Sequence, residues 1–279
     1  MIRRILKIFG YFIHKIQDLH YGRSVVKEIG GIKYRLDLSE SIDSALYHYG
    51  FYERETSRAL RKYIRSDMTV IEAGANIGAH TFEIAKMLDE EKGIIYSFEP
   101  TEYAFSKLRK NFKLNGFKNI VLEQIALSDV NEEKQILRAS SPETMPFKAS
   151  WDLKTGHARS ISLDRIKFEK LDSYILRNGI DKLDLIKIDV DGYELKVLRG
   201  GIDTIEKHKP IMIVEFGTTV ERVGDRLEDL VELLSSQGYL FYSIRSNTRY
   251  DEKELINIVA QKRTLDCLCL TPGCHILED

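Results

Sequence analysis

Short apolar stretches alternate with segments of helical periodicity through most of the 279-residue chain. Five stretches are predicted to be buried strands, because they are rich in apolar residues and all but 119–127 end in glycine, proline or an acidic residue: 69–74, 93–100, 119–127, 183–191 and 210–217. Between them, apolar residues recur at helical spacing, as in Phe82, Ala85 and Leu88. Strands that are apolar on both faces and alternate with helices predict an α/β fold, with a mostly parallel sheet covered on both sides.

The same pattern sets the boundaries of the fold. Residues 24–38 are predicted to form a β-hairpin around Gly30 and Gly31, and residues 44–64 a helical entry. The last two strands, 239–244 and 264–270, are expected to form another hairpin, and 128–165 a long irregular insert that serves as a functional loop. We therefore predict an extension over 1–48, made of a helix and the first hairpin, and one α/β domain over 49–279.

The extension begins with an amphipathic segment. Apolar residues recur at helical spacing and basic residues supply the other face: Ile5, Phe9, Phe12, Ile16 and Leu19, against Arg3, Arg4, Lys7 and Lys15. Two interpretations stay open: the helix caps its own domain, or it lies on an anionic membrane surface.

Composition excludes several functional classes. Forty-two basic against 43 acidic residues leave a net charge of −1, which gives no electrostatic footprint for nucleic acid. No apolar run of about 18 residues occurs, so no transmembrane helix is expected. Cys267, Cys269 and Cys274 are too few for a disulfide scaffold and indicate a reducing, cytoplasmic location. Their spacing favours a terminal strand with two buried cysteines over a zinc site.

The stretch "TVIEAGANIGAH", residues 69–80, carries the first chemical signal. It places Gly74 and Gly78 in the turn between a strand and a helix, while Glu99 ends the next strand. A carboxylate there can accept hydrogen bonds from both hydroxyls of a ribose. The third glycine of dinucleotide-binding loops and the lysine of P-loops are both missing, so a nucleoside without pyrophosphate fits better, and S-adenosylmethionine is the candidate cofactor. The alternative is a tight structural turn. The predicted cofactor-binding residues are Glu72, Gly74, Ala75, Asn76, Gly78, Glu99, Pro100, Ala126 and Leu127.

Several of these motifs resemble the FkbM-type family of S-adenosylmethionine-dependent methyltransferases. The resemblance rests on "GFYERE", "VIEAGANIGAHTFEIA", "YSFEP", "FEKLDSYI" and above all "LDLIKIDVDGYELKVLRGG", which run in order from about 49 to 217. It implies a Rossmann-like class I methyltransferase fold, with a seven-stranded sheet of order 3-2-1-4-5-7-6 and an antiparallel last strand. It also implies O-methylation of a sugar or polyketide hydroxyl. Glu72 stands where the family usually has Asp, and Asp191 where it usually has Glu.

The stretch "KIDVDGYE", residues 187–194, is the predicted source of the chemistry. A hydroxyl acceptor must lose its proton as the methyl group arrives, so a base should lie close to it. Asp189 is the candidate base or substrate-orienting carboxylate, with Asp191 beside it and Lys187 on the same side of the strand. Two alternatives remain: Asp189, Asp191 and Glu215 bind a divalent cation, or these acids cap the following helix.

Further residues are candidates for the acceptor side. Tyr193 and Glu215 follow the fourth and fifth strands, while Trp151 and Arg159 lie in the insert, where an indole ring could stack on a sugar. His157 is a second candidate base, because imidazole titrates near neutral pH. His80 either contacts a ligand or packs at the start of its helix.

The leading functional hypothesis is an O-methyltransferase acting on a sugar hydroxyl in a glycan or glycolipid. Methylation of a polyketide or another small molecule is the alternative within the same class. Two alternatives come from other functional classes: a cofactor-binding module without turnover and a nicotinamide oxidoreductase. The expected partners are a glycan or small-molecule acceptor and no nucleic acid.

Overall fold

The computed structural model describes the backbone of residues 24–140 and 160–274 and the side chains of 24–135 and 165–274. The amphipathic segment predicted at the N-terminus and the insert residues Trp151, His157 and Arg159 lie outside the described residues.

The first described residues form the predicted hairpin, and the residues after it form a central sheet with its helices. The hairpin consists of β1 (Ser24–Ile29) and β2 (Ile32–Asp37), paired antiparallel. The strands of the central sheet are β3 (Thr69–Ala73), β4 (Ile94–Phe98), β5 (Ile120–Glu123), β9 (Leu185–Ile188), β10 (Ile211–Gly217), β11 (Leu240–Ser243), β12 (Arg249–Tyr250) and β13 (Thr264–Leu270). Their spatial order is β12-β11-β13-β10-β9-β3-β4-β5.

The topology confirms the predicted class of fold. Strands β5, β4, β3, β9 and β10 run parallel, and β13 lies antiparallel between β10 and β11. Numbered from the first core strand, this is the expected order 3-2-1-4-5-7-6, with β12 added at one edge as an eighth strand. The predicted terminal hairpin is wrong: β11 and β13 do pair, but β12 and a helix over Glu252–Lys262 separate them along the chain.

Helices cover both faces of the sheet. Within the described residues they are α1 (Ser41–Tyr49), α2 (Arg54–Tyr63), α3 (Ala79–Met87), α4 (Glu102–Lys113), α5 (Leu171–Asn178), α6 (Glu194–Gly200), α7 (Ile202–His208), α8 (Leu227–Ser236) and α9 (Glu252–Lys262). The predicted helical entry breaks into α1 and α2, because Gly50 ends α1 in a left-handed conformation. In this part of the chain no helix is long and apolar enough to span a bilayer.

Successive residues of each central strand point to opposite faces of the sheet, so they pack alternately into two hydrophobic cores. Val70, Leu185 and Ile213 pack with the hairpin and with α1 to α4 on one face. Ile71 and Ile186 pack with α5 to α9 on the other. The result is a three-layer arrangement in which both faces of the parallel sheet are buried.

The expected irregular insert is partly regular. Strand β7 (Glu132–Ser140) pairs antiparallel with β8 (Ser160–Glu169), and β8 pairs parallel with β6 (Ala126–Leu127) to form a small three-stranded sheet. Ile166 and Phe168 are buried, whereas Arg165 and Lys167 point to solvent. This alternation is the signature of a half-buried strand, and it begins where the predicted insert of 128–165 ends.

Candidate active site

The carboxyl ends of β3, β4, β9 and β10 meet at one edge of the central sheet, and the turn from β3 to α3 crosses this edge. Gly74 has φ +91°, and a Cβ atom there would lie 1.8 Å from the carbonyl oxygen of Asp189. Gly78 has φ +92°, and a Cβ atom there would lie 2.3 Å from the Phe82 ring. Because both glycines are required by contacts within the protein, their presence is explained before any ligand is considered.

Glu99 joins this turn to the end of β4. Its buried carboxylate accepts hydrogen bonds from the backbone N–H of Asn76 at 3.1 Å, and from the N–H and hydroxyl of Thr101 at 3.0 and 2.6 Å. Asn76 itself is left-handed, with φ 49°. The structure thus brings Glu99 and the glycine turn together, with the half-buried Pro100 directly after Glu99.

Three other predicted cofactor residues have structural partners of their own. The buried Glu72 accepts hydrogen bonds from the hydroxyls of Thr81 at 2.6 Å and Ser97 at 3.0 Å, so it ties β3 to α3 and β4. Ala126 and Leu127 are buried in β6, which pairs with β8 after the chain has left β5. These contacts account for the residues structurally, and their predicted binding role stays a prediction.

Lys187 and Asp189 form the ion pair that their spacing suggested. The ammonium nitrogen of the buried Lys187 lies 3.2 Å from Oδ2 of Asp189, whose side chain is 26% exposed. Burial alone would lower the pKa of Lys187, but the carboxylates of Asp189 and Glu53 raise it above its ordinary value. Lys187 is therefore a buried permanent cation, and Asp189 reaches the solvent at the edge of the sheet.

The turn that follows β9 is fixed by a different acid from the one expected. Glu194 is fully buried, and its Oε1 accepts hydrogen bonds from the N–H groups of Val190 at 3.1 Å and Gly192 at 3.0 Å. Asp191 is left-handed, with φ 53°, and the helix begins after Tyr193 without a side-chain cap. The capping interpretation of Asp191 is therefore wrong, because Glu194 satisfies the backbone donors of this turn.

Burial and neighbouring charges raise the pKa of several carboxyl groups at this edge. Burial and the charge of Asp189 raise the pKa of Asp191 to about 7 and that of Glu215 to about 10. Burial and the charge of Glu53 raise the pKa of Asp266, opposite Glu215 on β13, to about 7. Like charges this close cannot all ionise, so the cluster is less negative than its residue count suggests. In the described part of the chain, no group of three or more His, Cys, Asp or Glu side chains is arranged to hold a metal ion.

Glu53 was not assigned a role from the sequence, and it contacts His80, for which a ligand contact and packing at the helix start were both left open. Glu53 lies immediately before α2, and its Oε2 is 3.1 Å from Nε2 of the buried His80 in the first turn of α3. Although burial opposes the charge, the hydrogen bond to Glu53 and the nearby carboxylate of Glu83, 3.8 Å from the other ring nitrogen, raise the pKa of His80 to about 9. The "GFYERE" motif contained the signal for Glu53, but only the fold shows what its side chain meets.

Tyr193 is the one predicted aromatic residue of the acceptor side that lies within the described side chains. It is half-buried, and its ring lies 6.4 Å from the ring of Phe168 on β8. It thus connects the turn after β9 to the small sheet.

The chain resembles known proteins over most of its length. Residues 72–241, more than half of the chain, match the family model described as the methyltransferase FkbM domain. The hexuronic acid methyltransferase AglP of Haloferax volcanii is 24% identical over 183 residues, which are 66% of this chain and 68% of AglP. Methyltransferase sdnD of Sordaria araneosa is 27% identical over an alignment of 220 residues, gaps included, that covers 68% of this chain and 81% of sdnD. The crystal structure of an FkbM methyltransferase from Methylobacillus flagellatus KT superposes with a TM-score of 0.45 at 18% identity, covering 74% of this chain and 44% of that one.

Proposed function

The chain belongs to the FkbM methyltransferase family, and from that premise we propose that it transfers the methyl group of S-adenosylmethionine to a hydroxyl group of a sugar. The family and the names of its relatives support the methyl transfer. The donor and the acceptor are proposals that the geometry of the site supports to different degrees.

The residues at the carboxyl edge of β3 and β4 fit the proposed donor. When bound, S-adenosylmethionine supplies an electrophilic methyl group on a positively charged sulfur. Glu99 would accept hydrogen bonds from its ribose, since the N–H of Asn76 already fixes the carboxylate against the glycine turn.

On the acceptor side, Asp189 is the group we assign to proton removal. Its carboxylate is partly exposed beyond the end of β9, and its partner Lys187 is buried below it. A base that is held by one fixed partner and open to solvent can meet an incoming hydroxyl in a defined orientation. Lys187 orients Asp189, and Tyr193 and Glu215 are the predicted neighbours of the acceptor.

One observation carries the choice of a sugar: the similarity to a hexuronic acid methyltransferase over two thirds of both chains. The name of the other relative, sdnD, specifies no acceptor.

Two measurements test the proposal in sequence. Calorimetric titration with S-adenosylmethionine should show binding that weakens about tenfold or more in Glu99→Gln, since a charge-assisted hydrogen bond is worth about 1.5–3 kcal/mol. The matched control, Glu102→Gln, changes an exposed acid three residues further on and should bind normally. A protein that does not bind the donor would contradict the first half of the proposal.

The second measurement follows the label from a methyl-labelled donor into a panel of hexoses, hexuronic acids and non-sugar alcohols. Label on a sugar hydroxyl supports the choice of acceptor. If Asp189→Asn abolishes this labelling but still binds the donor, the result supports Asp189 as the base. Label that enters only the non-sugar alcohols overturns the choice of a sugar and leaves methyl transfer intact.

A further inference from the structure

Glu53 occupies a backbone conformation that is unfavourable for its residue type. It has φ 45° and ψ 71° at the position immediately before α2. A side chain in this left-handed region costs on the order of 1–3 kcal/mol, which glycine would avoid. Residues at the start of a helix usually accept a hydrogen bond from its first turn, but the Glu53 side chain makes no such bond. The strain must therefore be offset by the other contacts of the carboxylate.

The first of these contacts joins two helices that start at the same edge. Oε2 of Glu53 lies 3.1 Å from Nε2 of His80, which belongs to the first turn of α3 directly after the glycine turn. Burial alone would raise the pKa of Glu53, but the hydrogen bond to His80 and the charge of Lys187 hold it well below its usual range. Glu53 and His80 thus form a partly buried ion pair between the starts of α2 and α3.

The second interaction reaches the proposed base. Lys187 bonds directly to Asp189 at 3.2 Å, and the charge of Glu53 attracts the same ammonium group through the protein interior. Charges are screened less there than in water, so this attraction acts beyond direct contact. The side chains of Glu53 and Asp189 are 28% and 26% exposed, so both reach the surface of the same edge.

We propose that Glu53 is a positioning residue for methyl transfer: it pairs with His80 beside the glycine turn, and its charge holds the Lys187 ammonium group, which in turn pairs with Asp189. This inference rests on the proposed function, because it assumes that Asp189 serves the acceptor. It adds a residue that ties the turn predicted to bind the donor to the carboxylate that meets the acceptor.

A first experiment needs no substrate. Urea unfolding is measured for wild type, Glu53→Gln, Lys187→Met and the double variant. If Glu53 holds Lys187, the double variant loses less stability than the two single variants together. Glu83→Gln is the matched control, since Glu83 contacts the other ring nitrogen of His80 at 3.8 Å and pairs with Arg61. Its effect should add to that of Lys187→Met. Additive effects of Glu53→Gln and Lys187→Met overturn the proposal, whatever acceptor is found.

A second experiment uses the acceptor identified in the labelling screen. In Glu53→Gln, kcat should fall about 10- to 100-fold, as expected for a displaced catalytic group, while KM and donor affinity stay within about twofold. Glu53→Asp keeps the charge and should recover part of kcat, and Glu83→Gln should retain kcat. An unchanged kcat in Glu53→Gln, or an equal loss in Glu83→Gln, contradicts the positioning role. A wild-type protein that methylates no acceptor refutes the proposed function instead, and the unfolding experiment still decides whether Glu53 holds Lys187.

Discussion

As the pH rises, the Glu194→Gln variant should lose less stability against unfolding than the wild-type protein does. The Glu194 carboxyl group is fully buried, with Oε1 on two backbone N–H groups and Oε2 without a hydrogen-bond partner in the described structure. Burial raises its pKa from 4.5 to about 7, although the backbone hydrogen bonds act in the opposite direction. The folded protein therefore binds this proton more tightly than the unfolded chain does.

The magnitude follows from that difference in pKa. At about 1.4 kcal/mol per pKa unit, a rise from 4.5 to about 7 corresponds to about 3 kcal/mol. The stability contributed by the bound proton is fully present below pH 4.5 and is lost as the pH rises through about 7. Glutamine has nearly the same shape and does not titrate, so the variant escapes this loss.

The assay is urea unfolding of both proteins at about pH 5 and about pH 8.5. The free energy of unfolding of Glu194→Gln, relative to wild type, should increase by about 2 kcal/mol between the two conditions. Titrating groups whose pKa does not depend on Glu194, such as His80, occur in both proteins and largely cancel in this comparison. The amide nitrogen of the variant adds an offset that does not depend on pH. Glu206→Gln, at an exposed position on α7, should show no such change. A difference that stays constant with pH would refute the reasoning.

Three further predictions concern the same edge and the terminal strand. Gly74→Ala should lower the free energy of unfolding by about 3 kcal/mol or more, because its Cβ would lie 1.8 Å from the Asp189 carbonyl oxygen; Gly116→Ala, which has open space, should change it by less than about 1 kcal/mol in the same urea titration. Lys187→Met should lower it by about 3–5 kcal/mol, since the partly buried carboxylates of Asp189 and Glu53 lose a buried cation, and a loss under about 1 kcal/mol would show that the ion pair is not needed for stability. A thiol reagent should modify Cys274 in the native protein, but the two buried cysteines of β13 only in denaturant; rapid labelling of all three would contradict their burial.

Much of the fold follows from the period of the apolar residues. Val70 and Ile71 face opposite cores because neighbouring residues of a strand point to opposite sides, and runs of such residues marked the strands of the parallel sheet. The order of the strands came from the resemblance in motifs and not from periodicity, which cannot say which strands are neighbours. The two-residue strand β12 carries too little pattern to be detected.

The candidate site was predictable only where its residues are close in sequence. The pairing of Lys187 with Asp189 follows from their spacing, because residues two apart share a face of a strand. The contact between Glu53 and His80 joins the starts of two helices, and nothing in either segment alone specifies it. The Glu194 side chain bonds to the backbone that precedes it in the chain. This contact is local, but it was missed because Asp191 was predicted to be the capping residue.

The bare α-carbon of Gly74 has a consequence for how such an enzyme can change its specificity. Since less than the width of a methyl group separates it from the main chain of Asp189, the turns after β3 and β9 cannot slide past each other. Donor and acceptor would then bind against one rigid surface, formed by the two turns and held in place by contacts between main-chain atoms. New acceptors would have to be accommodated by substituting the side chains around these two turns, because the backbone of the turns cannot move apart or closer.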